Sequence, residues 1–143
     1  MEKYIDGYLF STDKEKLQHT YIHRFLSEES YWAKNIPIHI VEKAIEGSIC
    51  FGVYDKQQQI GFARIITDHA TFGYLADVFI DKSYRSKGLS KELINFITEQ
   101  PVIKTLRRFM LATKDAHSLY AQFGFNALKE PDRFMEIKYF ETY

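Results

Sequence analysis

The run from residue 72 to 113 confines this chain to a narrow set of folds. FGYLADVFI (72–80) reads as an apolar strand, and the polar stretch DKSYRSKG (81–88) interrupts it. Leu89, Leu93, Phe96 and Ile97 then share one helical face until Pro101 marks the end of the helix. RRFMLAT (107–113) is a strand again. A strand–helix–strand unit closes as a right-handed crossover, which lays its two strands side by side in parallel. Ahead of it, SICFGVYD (48–55) and QIGFARIIT (59–67) flank a polar turn at 56–58 and read as an antiparallel hairpin. One chain must therefore hold parallel and antiparallel pairings in a single sheet.

The flanks complete the pattern. YIDGYLF (4–10) reads as a short strand. Thr12 to Glu15 match a capping box, and Leu17, Tyr21 and Phe25 recur at four-residue spacing, so 13–26 is expected to be helical. SEESYWAKN (27–35) is a polar loop, and Pro37 opens a second helix whose apolar face is Ile38, Val41 and Ile45 before Gly47. Ala116, Leu119, Tyr120 and Phe123 fall at helical spacing. FNAL (125–128) and FMEIKYF (134–140) read as closing strands, since Met135, Ile137 and Tyr139 alternate with Glu136 and Lys138. The expectation is one α/β (α+β) domain over 1–143, with a mixed central sheet of about seven strands and flanking helices.

Composition removes several function classes. Of the 143 residues, 12 are Phe, 10 Tyr and 1 Trp, an aromatic load that can offset the ordering entropy of folding and so argues against disorder. The 19 basic and 19 acidic side chains cancel, which argues against a general nucleic-acid binder. No apolar run approaches the roughly 20 residues that span a bilayer, so no membrane partner is expected. The N-terminal MEKYIDGYLF lacks the apolar core of a signal peptide, and the single Cys50 allows neither an internal disulfide nor a cysteine-rich zinc site. A cytoplasmic setting is the simplest reading. His19 and His23 stand at i, i+4, but a solvated helix face explains them better than a metal does, and no metal is expected.

The chemistry concentrates at residues 80–91, where a strand ends, a basic loop follows and a helix begins. Free N–H groups and the helix dipole make a helix N-terminus an anion site. Gly88 permits close backbone approach, and Arg85, Lys87 and Lys91 add positive charge. A phosphate or pyrophosphate is the fitting ligand; an ordinary turn with solvated lysines is the alternative. Neither G-x-x-x-x-G-K-[ST] nor G-x-G-x-x-G occurs.

Arg85-Ser86-Lys87-Gly88-Leu89-Ser90 resembles the R/Q-x-x-G-x-G/A signature of the GCN5-related N-acetyltransferases, the GNAT superfamily. Downstream, the segment from Ala116 to Phe125, AHSLYAQFGF, looks like the family's A-x-x-L-Y-x-x-x-G-F element. The two motifs are independent and in the right order, and the element order of the whole chain matches. Ser90 replaces the usual Gly or Ala, Ser86 stands where a second glycine is frequent, and Thr113 stands where Asn is frequent.

Carried over to matching positions, the resemblance implies acetyl-CoA binding. Backbone groups of Val78, Phe79 and Ile80 would pair with the pantetheine arm, and N–H groups from Ser86 through Lys87, Gly88, Leu89 and Ser90 to Lys91 would hold the pyrophosphate, with Arg85 beside them. Thr113 would face the arm from the other side. Tyr120 would protonate the departing thiolate. Members of that superfamily are often dimers, which makes a homodimer one expectation, while the sequence itself sets no oligomeric state.

Direct acyl transfer to an amine needs no covalent enzyme intermediate, so Cys50 is read as a core residue. Tyr120 also suits a packed core position. Asp77 is a carboxylate in an apolar strand, on the face of Leu75 and Phe79; it needs a partner or water. It is either paired with a neighbouring cation, or acts as a base or an anchor for the substrate ammonium. Tyr31, Trp32, Asp68 and Tyr74 are acceptor-site candidates, against packing or solvent exposure. The expected activity is acetyl transfer to a primary amine of a small molecule. A non-catalytic acyl-CoA sensor, an enzyme acting on a protein or peptide amine, and a purely structural module are the competing readings.

Overall fold

A computed structural model describes all 143 residues. Six strands form one sheet in sequential order: β1 (Glu2–Ile5), β2 (Tyr8–Ser11), β3 (Ile49–Asp55), β4 (Gln58–Thr67), β5 (Phe72–Ile80) and β6 (Arg108–Leu111). All neighbours are antiparallel except β5 and β6, which run parallel. The crossover between them is α3 (Leu89–Thr98) followed by the short α4 (Pro101–Thr105). α1 (His19–Arg24), α2 (Ile38–Glu46) and α5 (His117–Ala121) complete the fold. No helix is long and apolar enough to cross a membrane.

The sheet is packed on both faces. On one, Leu93, Ile94, Phe96 and Ile97 of α3 meet Phe10, Phe51 and Ile65 of the strands. On the other, Ile22, Val41 and Ile45 of α1 and α2 cover Cys50, Phe62 and Phe79. Alternation along β3 and β4 sends neighbouring side chains to opposite layers, so Cys50 and Phe51 belong to different clusters. Cys50 is buried and its thiol donates to the Ile45 carbonyl, and burial pushes its pKa up to about 11, which suits a core residue and not a nucleophile.

Three local expectations are corrected. The strand expected at 4–10 is a hairpin, because Asp6 and Gly7 take positive φ (52° and 84°) and form the tight turn between β1 and β2. The helix expected at 13–26 is interrupted: Asp13, not Thr12, caps a single 3₁₀ turn at Lys14–Lys16, and Leu17 is extended before α1 begins. α1 then continues through a wider turn at Phe25–Glu29, closed by the Ser30 N–H on the Phe25 carbonyl. Finally, the sheet has six strands and not about seven. The hairpin adds one strand, but FNAL and FMEIKYF form none. Residues 126–143 are exposed and make no backbone hydrogen bond to the sheet. Their alternation is present, but they pair with no strand of the sheet.

Candidate functional site

The site arises where the sheet comes apart. Phe62 pairs with Phe79 and Arg64 with Ala76, so Ala63 faces both Asp77 and Val78. That extra residue is a β-bulge, and Asp77 takes it up with φ 55°. Asp is among the few residues other than glycine that tolerate this conformation. The bulge reverses the alternation beyond it. Leu75 packs under α3, whereas Phe79 packs against Phe25 on the opposite face, their rings stacked 3.8 Å apart. The sequence expectation that Asp77 shares a face with both is therefore corrected: an inserted residue shifts a period of two by one.

On its other side β5 loses its neighbour. β6 pairs only with Phe72 to Leu75, leaving the edge from Ala76 to Ile80 without a strand. Two clefts of about 620 and 590 Å³ open along that edge. They share Tyr31, Trp32, Val78 and Asp115, so they meet at the bulge.

The second cleft holds the basic loop. It is lined by Val78, Phe79 and Ile80 from the strand, and by Arg85, Ser86, Gly88, Leu89, Ser90 and Lys91 from the loop and first turn of α3. Gly88 is the helix N-cap at φ 75°, with no side chain capping the first N–H groups. Those groups are available to a ligand. Ser86 also has positive φ (65°), a conformation a glycine would adopt more easily. Asp81 shapes the approach by capping the turn at Lys82–Tyr84, accepting from the Ser83 N–H at 3.0 Å. Lys87 is exposed and lies outside the cleft lining.

The first cleft is aromatic. Tyr31, Trp32, Tyr74 and Tyr120 all line it, with Asp77, Thr113, Lys114 and Asp115 between them. Thr113 turns its hydroxyl to the Ala116 N–H (3.1 Å) at the start of α5. Tyr120 is buried and its ring meets Phe125 edge-on at 5.8 Å. Burial, assisted by Tyr31 and Asp115, pushes its pKa up to about 12, so the phenol keeps its proton at neutral pH.

Residues 31 and 32 are held over the cleft by contacts invisible in sequence. The Tyr31 hydroxyl accepts the Lys114 N–H at 3.1 Å, and the Lys114 ammonium lies 5.6 Å from the Tyr31 ring centre. Trp32 packs edge-on against Tyr31 and donates from its indole N–H to Asp77 Oδ1 at 2.8 Å. Asp77 Oδ2 accepts from Arg64 Nε at 2.6 Å, and Arg64 also reaches the Ser48 hydroxyl at 3.1 Å. Asp77 is thus the paired carboxylate of the two readings, and it tethers the Trp32 loop to the bulge. Arg64, Lys114 and Asp115 were missed in sequence. Only Arg64, a cation alternating within an apolar strand, carried a signal there.

Asp68 lies elsewhere. Its carboxylate organises the turn before β5, accepting from Thr71 Oγ1 and from the N–H groups of Ala70, Thr71 and Phe72. The Thr71 hydroxyl and those N–H groups hold its pKa well below the ordinary range. It lines neither cleft.

The tether makes a prediction. Asp77 and Arg64 side chains are only 12% and 17% exposed, so removing one leaves the other poorly solvated. Asp77→Ala is expected to cost about 2–3 kcal/mol. In a chain of this length that lowers Tm by roughly 5–10 °C. Trp32 is the only tryptophan, so its emission should shift to the red as the loop leaves the bulge. A variant with unchanged melting and emission would remove Asp77 from this role.

Comparison with known proteins bears on this geometry. A model of the acetyltransferase (GNAT) domain matches residues 46–127. A candidate acetyltransferase of Gibberella zeae is 33% identical, over 80% of this chain and 76% of its own length. The crystal structure of a candidate GNAT-family acetyltransferase from Xanthomonas campestris is 44% identical and superposes with a TM-score of 0.91, covering 96% of each chain. A GNAT-family acetyltransferase from Elizabethkingia anophelis with acetyl-CoA bound shares the fold at 11% identity, with a TM-score of 0.65 over 92% of this chain and 88% of that one.

Proposed function

This chain belongs to the GNAT acetyltransferase family, and we propose that it transfers an acetyl group directly from acetyl-CoA to a primary amine of a small-molecule acceptor. One observation carries the reading. A cleft lined by the basic loop and the uncapped start of α3 meets an aromatic cleft at the β5 bulge, and their linings suit a phosphate-bearing arm and an organic acceptor.

The residues suit the donor. The unpaired edge of β5 offers backbone groups at Val78, Phe79 and Ile80 to an extended amide-containing arm, as an added strand would take them. The uncapped N–H groups of α3, with Arg85 and Lys91, suit a pyrophosphate. When bound, acetyl-CoA supplies an activated acyl carbon and a thiolate leaving group. The protein's part is placement and proton traffic. Once an acceptor ammonium has released a proton to solvent, bond formation between the neutral amine nitrogen and the acyl carbon breaks the carbon–sulfur bond, the amine losing one further proton and the sulfur gaining one. Tyr120 holds a proton of the right kind beside the junction, because its burial keeps the phenol neutral. With Asp77 engaged by Arg64 and Trp32, the carboxylate at the junction free of such bonds is Asp115, which suits attraction of an ammonium group. The aromatic walls suit an acceptor with an apolar or cationic part. A cleft of about 620 Å³ is in the size range of small-molecule sites.

The test is thiol release from acetyl-CoA across a panel of small amines and amine-bearing peptides. Saturable release with a small amine is the expected result. Binding of acetyl-CoA without turnover across the panel favours a sensor, and turnover with peptides alone favours a protein acceptor. Absence of acetyl-CoA binding overturns the reading.

A further inference from the structure

The aromatic cleft carries a charge of each sign that no ion pair neutralises. Its charged lining residues are Asp77, Lys114 and Asp115. Asp77 is committed to Arg64 and Trp32. Lys114 and Asp115 take part in no ion pair of the chain, and although adjacent they do not pair with each other.

The two charges stand at different places. Asp115 lines both clefts, so it lies at their junction, and its charge reaches Tyr120. Lys114 lines the aromatic cleft alone. Its ammonium is held 5.6 Å from the Tyr31 ring centre, within the range of cation–π attraction. The Tyr31 hydroxyl accepts the Lys114 backbone N–H at 3.1 Å and keeps its own hydrogen to give. An ammonium and a phenol O–H on contacting residues can both donate to one anion.

This pattern selects among acceptors. A molecule that is only a cation meets a like charge at Lys114 with nothing to offset it, and a polyamine finds a single free carboxylate. A molecule that carries an anion beside its amine satisfies Lys114 and Asp115 together.

We propose that the acceptor is a small molecule of the amino-acid type, a primary amine that also bears a carboxylate. Its ammonium pairs with Asp115 at the junction, and its carboxylate pairs with Lys114 and the Tyr31 hydroxyl. This names the substrate class of the acetyl-transfer reading and rests on it for which end reacts. One full positive charge and a neutral donor match a monoanion better than a phosphate. The cleft that suits phosphate is made differently, with Arg85, Lys91 and the uncapped N–H groups of α3. Trp32, Tyr74 and Leu111 line the aromatic cleft and suit an apolar stem.

The test uses pairs that differ in the carboxylate: phenylalanine with phenethylamine, tyrosine with tyramine, lysine with cadaverine, and β-alanine with ethylamine. Phosphoethanolamine is added as the phosphate counterpart. Each is measured twice, by thiol release from acetyl-CoA and by titration of the emission of Trp32, the only tryptophan, in the presence of CoA. In at least one pair the acid should exceed its partner by roughly tenfold or more in kcat/KM and in affinity, the range of one charge-assisted hydrogen bond. Lys114→Met should cost that acid roughly tenfold more than its partner, and Lys114→Arg should restore most of the difference. Lys114 is exposed and its bond to Tyr31 is made by the backbone, so the variant should fold. Asp115→Asn should weaken both members alike, since both carry the ammonium.

Turnover that favours no acid in any pair overturns the assignment alone, and so does a Lys114→Met that weakens both members equally. Phosphoethanolamine preferred over β-alanine overturns it in favour of a phosphate. Acids that bind through Lys114 without thiol release uphold the site and overturn acetyl transfer. Neither binding nor release overturns both.

Discussion

Gly88→Glu is expected to abolish acetyl-CoA binding, raising Kd more than about 100-fold, while the protein still folds. Two charges of like sign held about 5 Å apart near a protein surface repel by roughly 3 kcal/mol, which is about two orders of magnitude in affinity. The new carboxylate would stand at the helix N-terminus, beside the uncapped N–H groups of α3 proposed to hold the pyrophosphate. The fold should tolerate it. A Cβ at residue 88 meets nothing within 4 Å, so the structural cost is the left-handed φ of 75°, roughly 1 kcal/mol. That lowers Tm by only about 2–4 °C. Gly88→Ala carries the same backbone cost without the charge, and calorimetry should show it losing far less affinity. Equal affinity in wild type and Gly88→Glu would dissociate this loop from the donor altogether.

The second large effect is expected at Tyr120. Tyr120→Phe should lower kcat about 100-fold, the low end of what a positioned general acid contributes, with KM for acetyl-CoA changed less than about threefold. The ring is buried and packed against Phe125, so removing only the hydroxyl keeps the packing. The pH dependence follows from the raised pKa. With the folded value near 12 and the ordinary value at 10, folding favours the neutral phenol. Its stabilising contribution is complete below pH 10 and lost as pH rises towards 12. The rate should therefore show no loss from Tyr120 ionisation through pH 6–9, and steady-state profiles of both proteins over that range check it. An unchanged kcat in Tyr120→Phe would show that another group protonates the sulfur.

Much of this arrangement was legible from residue order, and the reasons are local. β5 and α3 are read correctly because their apolar periods are strong and their boundaries are marked by DKSYRSKG and Pro101. The basic loop at the start of α3 is legible because a glycine between cations marks the strand-to-helix junction. The readings that failed are those where pairing partners decide. The Asp6–Gly7 turn splits one apolar run into two strands. The alternation at 134–140 is real, but alternation does not name the edge that receives it.

The aromatic cleft divides the same way. Tyr31, Trp32, Tyr74 and Tyr120 could be picked out as aromatic residues in unusual positions, and the fold brings all four to one cleft. Asp68 looked equivalent and is not, because the N–H groups of its own turn consume its carboxylate. Asp77 could not be assigned between paired and free, since the deciding partners lie 13 and 45 residues away.

Sequence alone determined the crossover, the helix that a glycine in a basic loop opens, and the family, because periodicity, capping and loop chemistry act over a few residues. Tertiary structure decided what lies between them. It placed the bulge that turns Asp77 out of register, separated β5 from β6 to open the clefts, and left residues 134–140 outside the sheet. Those outcomes depend on which strand edges remain unpaired once the core has packed, and that is a property of the assembled sheet rather than of any segment within it.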